Sequence, residues 1–384
     1  MISNQRVILT IRFLNFIEKI KKIDKLLLII TFLLSFYGLI LIISASRSSE
    51  LNIFVSQLIA IFVGISLMSL IEFLDYRKIA EHWKAIGIVC IILMAYTMFF
   101  GISIVGVSGV NARAWIRVMG NFTFQPSELI KIGFIITFAK HLENSHKSLI
   151  KNEPQTLAWL AAHLLVPVSL THIQGDDGAA MIFILIALVM IFMAGADWKL
   201  LLGIFVAFLM VTPVLWQYAL APYQRNRILN QLNPESDPLN MGYQQIQGKL
   251  SIGSGGFFGK GLFKGDRSGN SMVPIQESDF IFSVAGEELG FVGCILILLL
   301  ISALVWRSAK IAKKSIDSCG AYICFGFIGL VMAQTFLNLG MCLSLIPVVG
   351  VTLPFFSAGG SSVISLFIGL GILQNIHING IENA

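Results

Sequence analysis

Ser278-Asp279-Phe280-Ile281-Phe282 is the point where two kinds of sequence meet. Behind it lies the one long polar excursion of the chain, from Pro222 onward. That excursion holds Gly253-Ser254-Gly255-Gly256-Phe257-Phe258-Gly259-Lys260-Gly261 and then Pro274. Ahead of it an apolar run extends to Trp306. A helix needs about 20 apolar residues to cross a bilayer, so this run is long enough to span one. Outward in both directions the same reading repeats, giving about ten spans by that length rule. They are Leu26–Ala45, Asn52–Leu74, Lys84–Ser103, Pro126–Leu142, Thr156–Thr171, Gly178–Ala194, Leu200–Tyr218, Phe280–Trp306, Gly320–Leu343 and Gly359–Ile376. The composition agrees, with 56% hydrophobic and 12% charged residues and a mean hydropathy of +0.82. A soluble domain carries about 25% charged residues. The expected fold is an all-α polytopic membrane bundle, with a long outer loop (221–279) between the seventh and eighth spans.

The net charge of +6 reads as loop asymmetry and not as a nucleic-acid surface, because Lys and Arg collect on the cytoplasmic side. With the N-terminus inside, seventeen Lys and Arg fall on inner segments and nine on outer ones, Lys131 being within a span. Both termini are then cytoplasmic, and the long loop and Asp279 face outward. Residues 1–25 read either as a basic amphipathic helix on the inner leaflet or as a loosely ordered tail. Residues 26–384 form one membrane domain. Cys90, Cys294, Cys319, Cys324 and Cys342 lie in or beside apolar segments and read as small buried hydrophobes. No cleavable signal sequence is visible.

Charges inside a membrane are costly and mark paired or functional groups. Lys131 stands three residues after Glu128 on the fourth span, where the two can meet on one helix face. One reading is a packing ion pair; the other is a cationic floor for a pyrophosphate. Glu287 and Glu288 stand about two turns into the eighth span. Asp176 and Asp177 read either as a solvated outer turn or, with partners from elsewhere, as ligands for a divalent cation. The glycine-rich run lacks nucleotide-loop spacing, but its N–H groups and Lys260 suit the approach of a pyrophosphate. Asp279, at the lip of the eighth span, is either a helix cap or a general base toward a hydroxyl arriving from outside.

Several motifs together resemble the SEDS family (shape, elongation, division and sporulation). They are Gln125-Pro126-Ser127-Glu128 with Lys131, Asp237-Pro238 through Gly242-Tyr243, the glycine-rich run, and Asp279-Phe280-Ile281-Phe282 with Glu287-Glu288-Leu289-Gly290. Pro347-Val348-Val349-Gly350-Val351 through Gly359-Gly360-Ser361-Ser362 completes the set. The glycine-rich run and the Pro-Val-Val-Gly-Val segment are closer to the family's elongation branch than to its division branch. Departures are Ala114 before Trp115 in place of Arg, Gly175 in place of Pro, Asp177 and Ala179 after Asp176, Glu277-Ser278 before Asp279, and Ala358 in place of Tyr.

The resemblance implies a peptidoglycan glycosyltransferase of the bacterial cytoplasmic membrane, acting on lipid II and undecaprenyl-pyrophosphate-linked glycan. It also implies a class B penicillin-binding protein as partner. Asp279 falls at the family's essential acid. Lys131, Glu128, Arg113, Lys260, Glu287, Glu288 and Ser361 are the candidate substrate contacts, with Mg or Mn as an additional means of offsetting pyrophosphate charge. One base without a second nucleophilic acid points to inversion at the anomeric carbon. Two other classes remain open: a lipid II flippase that uses the intramembrane charges, and a non-catalytic scaffold for a transpeptidase.

Overall fold

The computed structural model describes residues 19, 21–47, 52–105, 111–119, 122–233 and 241–380. Most of the basic N-terminal segment and Asp237-Pro238 lie outside the described residues. Helices α1 (Lys25–Ala45), α2 (Asn52–Glu72), α3 (Tyr76–Glu81) and α4 (Trp83–Phe100) lead into a sheet of β1 (Ile102–Val105), β2 (Asn111–Met119) and β3 (Phe122–Phe124). Then follow α5 (Pro126–Ile150), α6 (Pro154–Ile173), α7 (Asp177–Met193) and α8 (Trp198–Val214). The long loop contains α9 (Pro222–Leu232), α10 (Met241–Ser254) and the short α11 (Asp266–Gly269). Helices α12 (Ile281–Lys314), α13 (Ser318–Cys342) and α14 (Gly360–Asn379) complete the chain.

Eight of the described helices are long and apolar enough to cross a membrane. Helix α7 is apolar but shorter, at 17 residues, and α5 carries more charge. The chain is a multi-pass membrane protein. Helix starts follow local chemistry. Pro126 opens α5, where its missing N–H costs nothing. Asp24, Asp75, Asp176 and Asp317 accept backbone N–H groups at the starts of α1, α3, α7 and α13. Helices α13 and α14 are central, 72% and 83% buried over their apolar windows, whereas α8 with the turn after it is 0% buried. Helix α8 therefore lies at the periphery of the bundle, its apolar side chains facing outward.

Two features differ from the all-helical expectation. The third span ends at Phe100, and an antiparallel β1-β2-β3 meander follows it, with Ile102 opposite Trp115 and Ile116 opposite Phe124. Along β2 the sequence alternates: Arg113 and Arg117 are exposed and Ala114 is buried. Helix α12 is broken at Gly290, whose φ of 66° and ψ of −159° are not helical. The glycine-rich loop fills that break. Phe291 and Val292 donate to Gly256 O and Phe257 O at 3.0 and 3.2 Å, while Lys260 and Gly261 donate to Glu287 O and Glu288 O at 3.0 and 2.9 Å. A broken membrane helix frees backbone groups that must find partners within protein. Here the loop supplies them, and a Cβ on Gly290 would lie 2.3 Å from Gly259 N.

Candidate active site

Helices α5, α7, α12 and α14 all begin at one cavity of about 370 Å³. Gln125 and Glu128, Asp176 and Asp177, Ser278 and Asp279, and Ser361 and Ser362 line it from those four starts. Helix N-termini carry partial positive charge and point N–H groups outward. Here they stand against four lining carboxylates, Glu128, Asp176, Asp177 and Asp279, and so offset acid charge within the cavity. Arg227 and Asn230 of α9 and Gln244 and Gln245 of α10 close the side formed by the long loop, and Ala114 and Trp115 of β2 contribute a further wall.

Asp279 is held closely. Its N–H donates to Ile275 O at 3.1 Å, and the Asn338 amide donates to its carbonyl at 2.9 Å. Ser278 Oγ donates to Oδ1 at 3.0 Å. Oδ2 faces Gly350, where an added Cβ would approach it to 3.6 Å. Burial raises the carboxyl to about 6, the Ser278 hydroxyl opposes that rise, and the like charge of Glu277 adds to it. A carboxylate with such a value is basic enough to accept a hydroxyl proton and is still ionised near neutral pH.

Asp176 is the second built acid. Its Oδ2 accepts from Gln125 Nε2 at 2.8 Å and Ser127 Oγ at 3.3 Å, and its Oδ1 accepts from Ala179 N at 2.9 Å. Burial raises its pKa above the ordinary aspartate value, against the Ala179 N–H and the nearby Lys131. Asp177 is tied to the long loop through Gln224 Nε2 at 2.9 Å and to His172 Nδ1 at 2.7 Å. Lys131 is fully buried behind Glu128, with its Nζ 2.7 Å from Glu128 Oε1, and Gln334 Nε2 approaches the other Glu128 oxygen at 3.5 Å. Ser361 Oγ accepts from Gln125 N at 2.9 Å, tying the start of α14 to that of α5.

The structure thus brings Asp279, Glu128 and Ser361 to one cavity, with Lys131 immediately behind. It does not bring the other four candidates there. Arg113 is exposed, and its N–H fastens β2 to Gln174 O at 3.0 Å. Glu287 and Glu288 are fully buried in the joint between the glycine-rich loop and broken α12. Glu287 accepts from Arg267 N and Ser268 N at 2.9 Å each and from Lys260 Nζ at 3.0 Å. Glu288 accepts from Ser44 Oγ, Phe263 N, Ser268 Oγ and Arg47 Nη2 at 2.6 to 3.0 Å. Buried carboxylates this well supplied with donors hold backbone in place. The cavity residues that sequence reasoning passed over are Arg227, Asn230, Gln244 and Gln245. Their available signal was the i,i+3 placement of Arg227 and Asn230 in a helix opened by Pro222. Among the described residues no three His, Cys, Asp or Glu side chains gather as a metal-ligand set.

Comparison with known proteins agrees with this architecture. Stage V sporulation protein E of Bacillus subtilis is 35% identical over 364 residues, spanning 92% of this chain and 96% of that protein. Peptidoglycan glycosyltransferase MrdB of Escherichia coli K12 is 34% identical over 357 residues, spanning 92% and 93%. A chain from a solved peptidoglycan synthase complex that coordinates polymerization and crosslinking superposes with a TM-score of 0.79 at 32% identity, covering 92% of this chain and 97% of its own. The sequence model of the FtsW/RodA/SpoVE family, described as cell cycle proteins, matches residues 24–381, and the chain belongs to that family.

Proposed function

We propose that this chain is a peptidoglycan glycosyltransferase that polymerises lipid II, with Asp279 as its general base. The observation that carries the reading is the position of Asp279: an acid raised to about 6, on the wall of a cavity ringed by four helix N-termini. In the reaction an acceptor sugar hydroxyl attacks the anomeric carbon of the donor. The new C–O bond forms as the bond to the lipid pyrophosphate breaks. The hydroxyl proton passes to Asp279, and the pyrophosphate leaves on its lipid with the bonding electrons. One base acting at one face inverts the anomeric centre, so an α-linked donor yields a β-linkage.

Leaving-group charge is met by Arg227 and by the N–H groups at the start of α14, where no acid lines the cavity. Lys131 acts at one remove, pairing with Glu128 and drawing Asp176 toward its ionised form. Mg or Mn lacks a protein-built cage here, since among the described residues no three His, Cys, Asp or Glu side chains gather as a ligand set, and no step is routed through a metal. The eight long apolar helices, with α5 and the shorter α7, make ten crossings, with both termini cytoplasmic and the cavity at the outer face of a bacterial cytoplasmic membrane. The chain serves with the elongation (RodA-type) members, and a class B penicillin-binding protein crosslinks the strands it makes.

The test is purified protein with its transpeptidase partner and lipid II in detergent, where flipping has no meaning. Wild type and Glu277→Gln should form glycan polymer. Asp279→Asn, which keeps size and shape, should lose about 10²–10⁴-fold in rate. Equal polymer from Asp279→Asn would remove the base from the mechanism and leave the flippase reading ahead.

A further inference from the structure

A second cavity of about 420 Å³ opens between α4, α5 and α6. One face of each helix forms it. Trp83, Gly87, Cys90 and Met94 recur at helical spacing on α4, as do Ile130, Phe134, Thr137 and His141 on α5. Helix α6 contributes Trp159, Ala162, His163 and Val166. Trp159 and Ile88, at 63% and 58% exposure, show that the groove faces the lipid side of the bundle.

The histidines look polar, but three of their four ring nitrogens are committed to each other and to Thr137. Thr137 Oγ1 donates to Phe134 O at 3.1 Å, so it accepts from His163 Nε2 at 3.1 Å. His163 Nδ1 is then the acceptor for His141 Nδ1, 3.0 Å away. This donor chain fixes the tautomers. The two imidazoles lie edge to edge and nearly coplanar, their centres 5.3 Å apart, and the Trp83 ring runs nearly parallel to both, 5.9 Å from His141 and 6.3 Å from His163. Apart from His141 Nε2 the wall is flat and apolar, which suits hydrocarbon.

Dimensions select the occupant. Trp83 to Met94 is eleven helical rises, about 16 Å, close to half of a hydrocarbon core about 30 Å thick. Spread over that length, about 420 Å³ gives a mean cross-section of about 26 Å², against about 80 Å² for a helix about 10 Å across. A single lipid chain fits within the groove, whereas a partner helix would lie across its mouth. At one end stands Lys84, its ammonium 5.7 Å from the Trp83 ring centre. A Lys beside a Trp is the side-chain pair expected at a membrane interface, where Lys attracts anionic headgroups.

We propose that this groove binds one acyl chain of an anionic phospholipid from the leaflet around Trp83, with the lipid phosphate at Lys84. The site is separate from the Asp279 cavity and stands whether or not Asp279 is the base. Gly87 leaves the room: a Cβ there meets only Thr137 Cγ2, at 3.9 Å. Gly87→Leu therefore fills the groove without a backbone clash, and it also improves helix propensity.

Delipidated protein in detergent, titrated with dioleoylphosphatidylglycerol and read by native mass spectrometry, tests this. Wild type should retain one phosphatidylglycerol in preference to phosphatidylcholine. Gly87→Leu should weaken retention about tenfold or more, the worth of two buried methylenes. Lys84→Gln should weaken it about fivefold and erase the headgroup preference. Thermal melting checks that Gly87→Leu is folded; if it is not, Ala162→Leu fills the same groove from α6. Unchanged retention in the filled variants, or equal retention of the two phospholipids, overturns the proposal. Tighter retention of undecaprenyl phosphate than of phosphatidylglycerol also overturns it, assigning the groove to a polyprenyl chain.

Discussion

The Asn338 side-chain amide donates to the backbone carbonyl of Asp279 at 2.9 Å and to that of Val351 at 2.7 Å. Asn338 is fully buried in α13, so the central helix fixes both the acid and the loop that faces it. Ser357 reinforces the joint, donating to Ser278 O while accepting from Leu353 N at 2.8 Å. The proposed base is thus fastened through backbone on either side, and its carboxylate is left to the cavity. Preorganisation of this kind lets a carboxylate act without reorganising as the proton moves.

The first prediction concerns pH. Activity requires ionised Asp279, so the rate should rise with pH through a midpoint near the value of about 6 that burial imposes and level off above it. Below the midpoint it should fall about tenfold per pH unit. Glu277 contributes to the raised value, so Glu277→Gln should move the midpoint to lower pH. A profile of polymer yield that is flat from pH 5 to 8 in both proteins would refute this assignment.

The same shift has a consequence for stability. Asp279 holds its proton more tightly folded than unfolded, so the ionised acid destabilises the fold, and stability falls as pH rises from 3.8 toward about 6. Asp279→Asn removes that cost. Its melting temperature should exceed wild type at pH 8, and the gap should close toward pH 4. Melting curves of the purified proteins at the two pH values decide the matter.

Much of this was legible in the sequence because membrane helices announce themselves. Runs such as Leu26–Ala45 admit no other structure in lipid, and Pro126, Asp176 and Asp317 mark helix starts by their own chemistry. Asp279 was legible because it stands alone where polar loop becomes apolar helix. The break at Gly290 was not: one glycine inside an apolar pattern looks like helix, and only the docked loop reveals that the freed carbonyls of Glu287 and Glu288 are used. For the same reason Glu287 and Glu288 passed as intramembrane charges. The β2 strand was hidden because its alternation is short and borders a span. Arg227 and Gln245 reach the cavity through the path of the long loop; the i,i+3 spacing of Arg227 and Asn230 marks a helix face but not what that face meets.

The buried pair gives a third prediction. Lys131 is inaccessible to solvent and is bonded to Glu128 at 2.7 Å. Lys131→Met leaves Glu128 without its counterion, which should cost about 3–5 kcal/mol. Adding Glu128→Gln should recover a large part of that loss in stability, but not activity, because Asp176 has also lost its neighbouring cation. Denaturation of the single and double variants measures the coupling. Full stability of Lys131→Met would show that the pair does not hold the fold.

Lys260 separates a structural joint from a substrate contact. It is 28% exposed, and its partner Glu287 keeps two backbone donors, Arg267 N and Ser268 N, without it. Lys260→Gln should cost no more than about 1 kcal/mol and leave the KM for lipid II unchanged. Glu287→Leu should be far worse, because the Arg267 and Ser268 N–H groups lose their acceptor at about 1–3 kcal/mol each. A raised KM with unaltered melting in Lys260→Gln would return this lysine to the substrate site.

The last prediction concerns orientation. The proposed topology, argued from Lys and Arg, has the long loop outside and the segment after α12 inside. Ser268 is unsuited as a reporter, since it is 1% exposed and bonded to both Glu287 and Glu288. Asn270 is exposed in the polar part of the long loop, and Lys313 is exposed in the last turn of α12. The five native cysteines are buried or half-buried, so background labelling should be low. An impermeant maleimide applied to intact spheroplasts should label Asn270→Cys and should label Lys313→Cys only after lysis. The reverse pattern would turn the bundle over and put Asp279 on the cytoplasmic face. There it could not polymerise a donor presented at the outer surface, and the glycosyltransferase assignment of this cavity would fall with the topology.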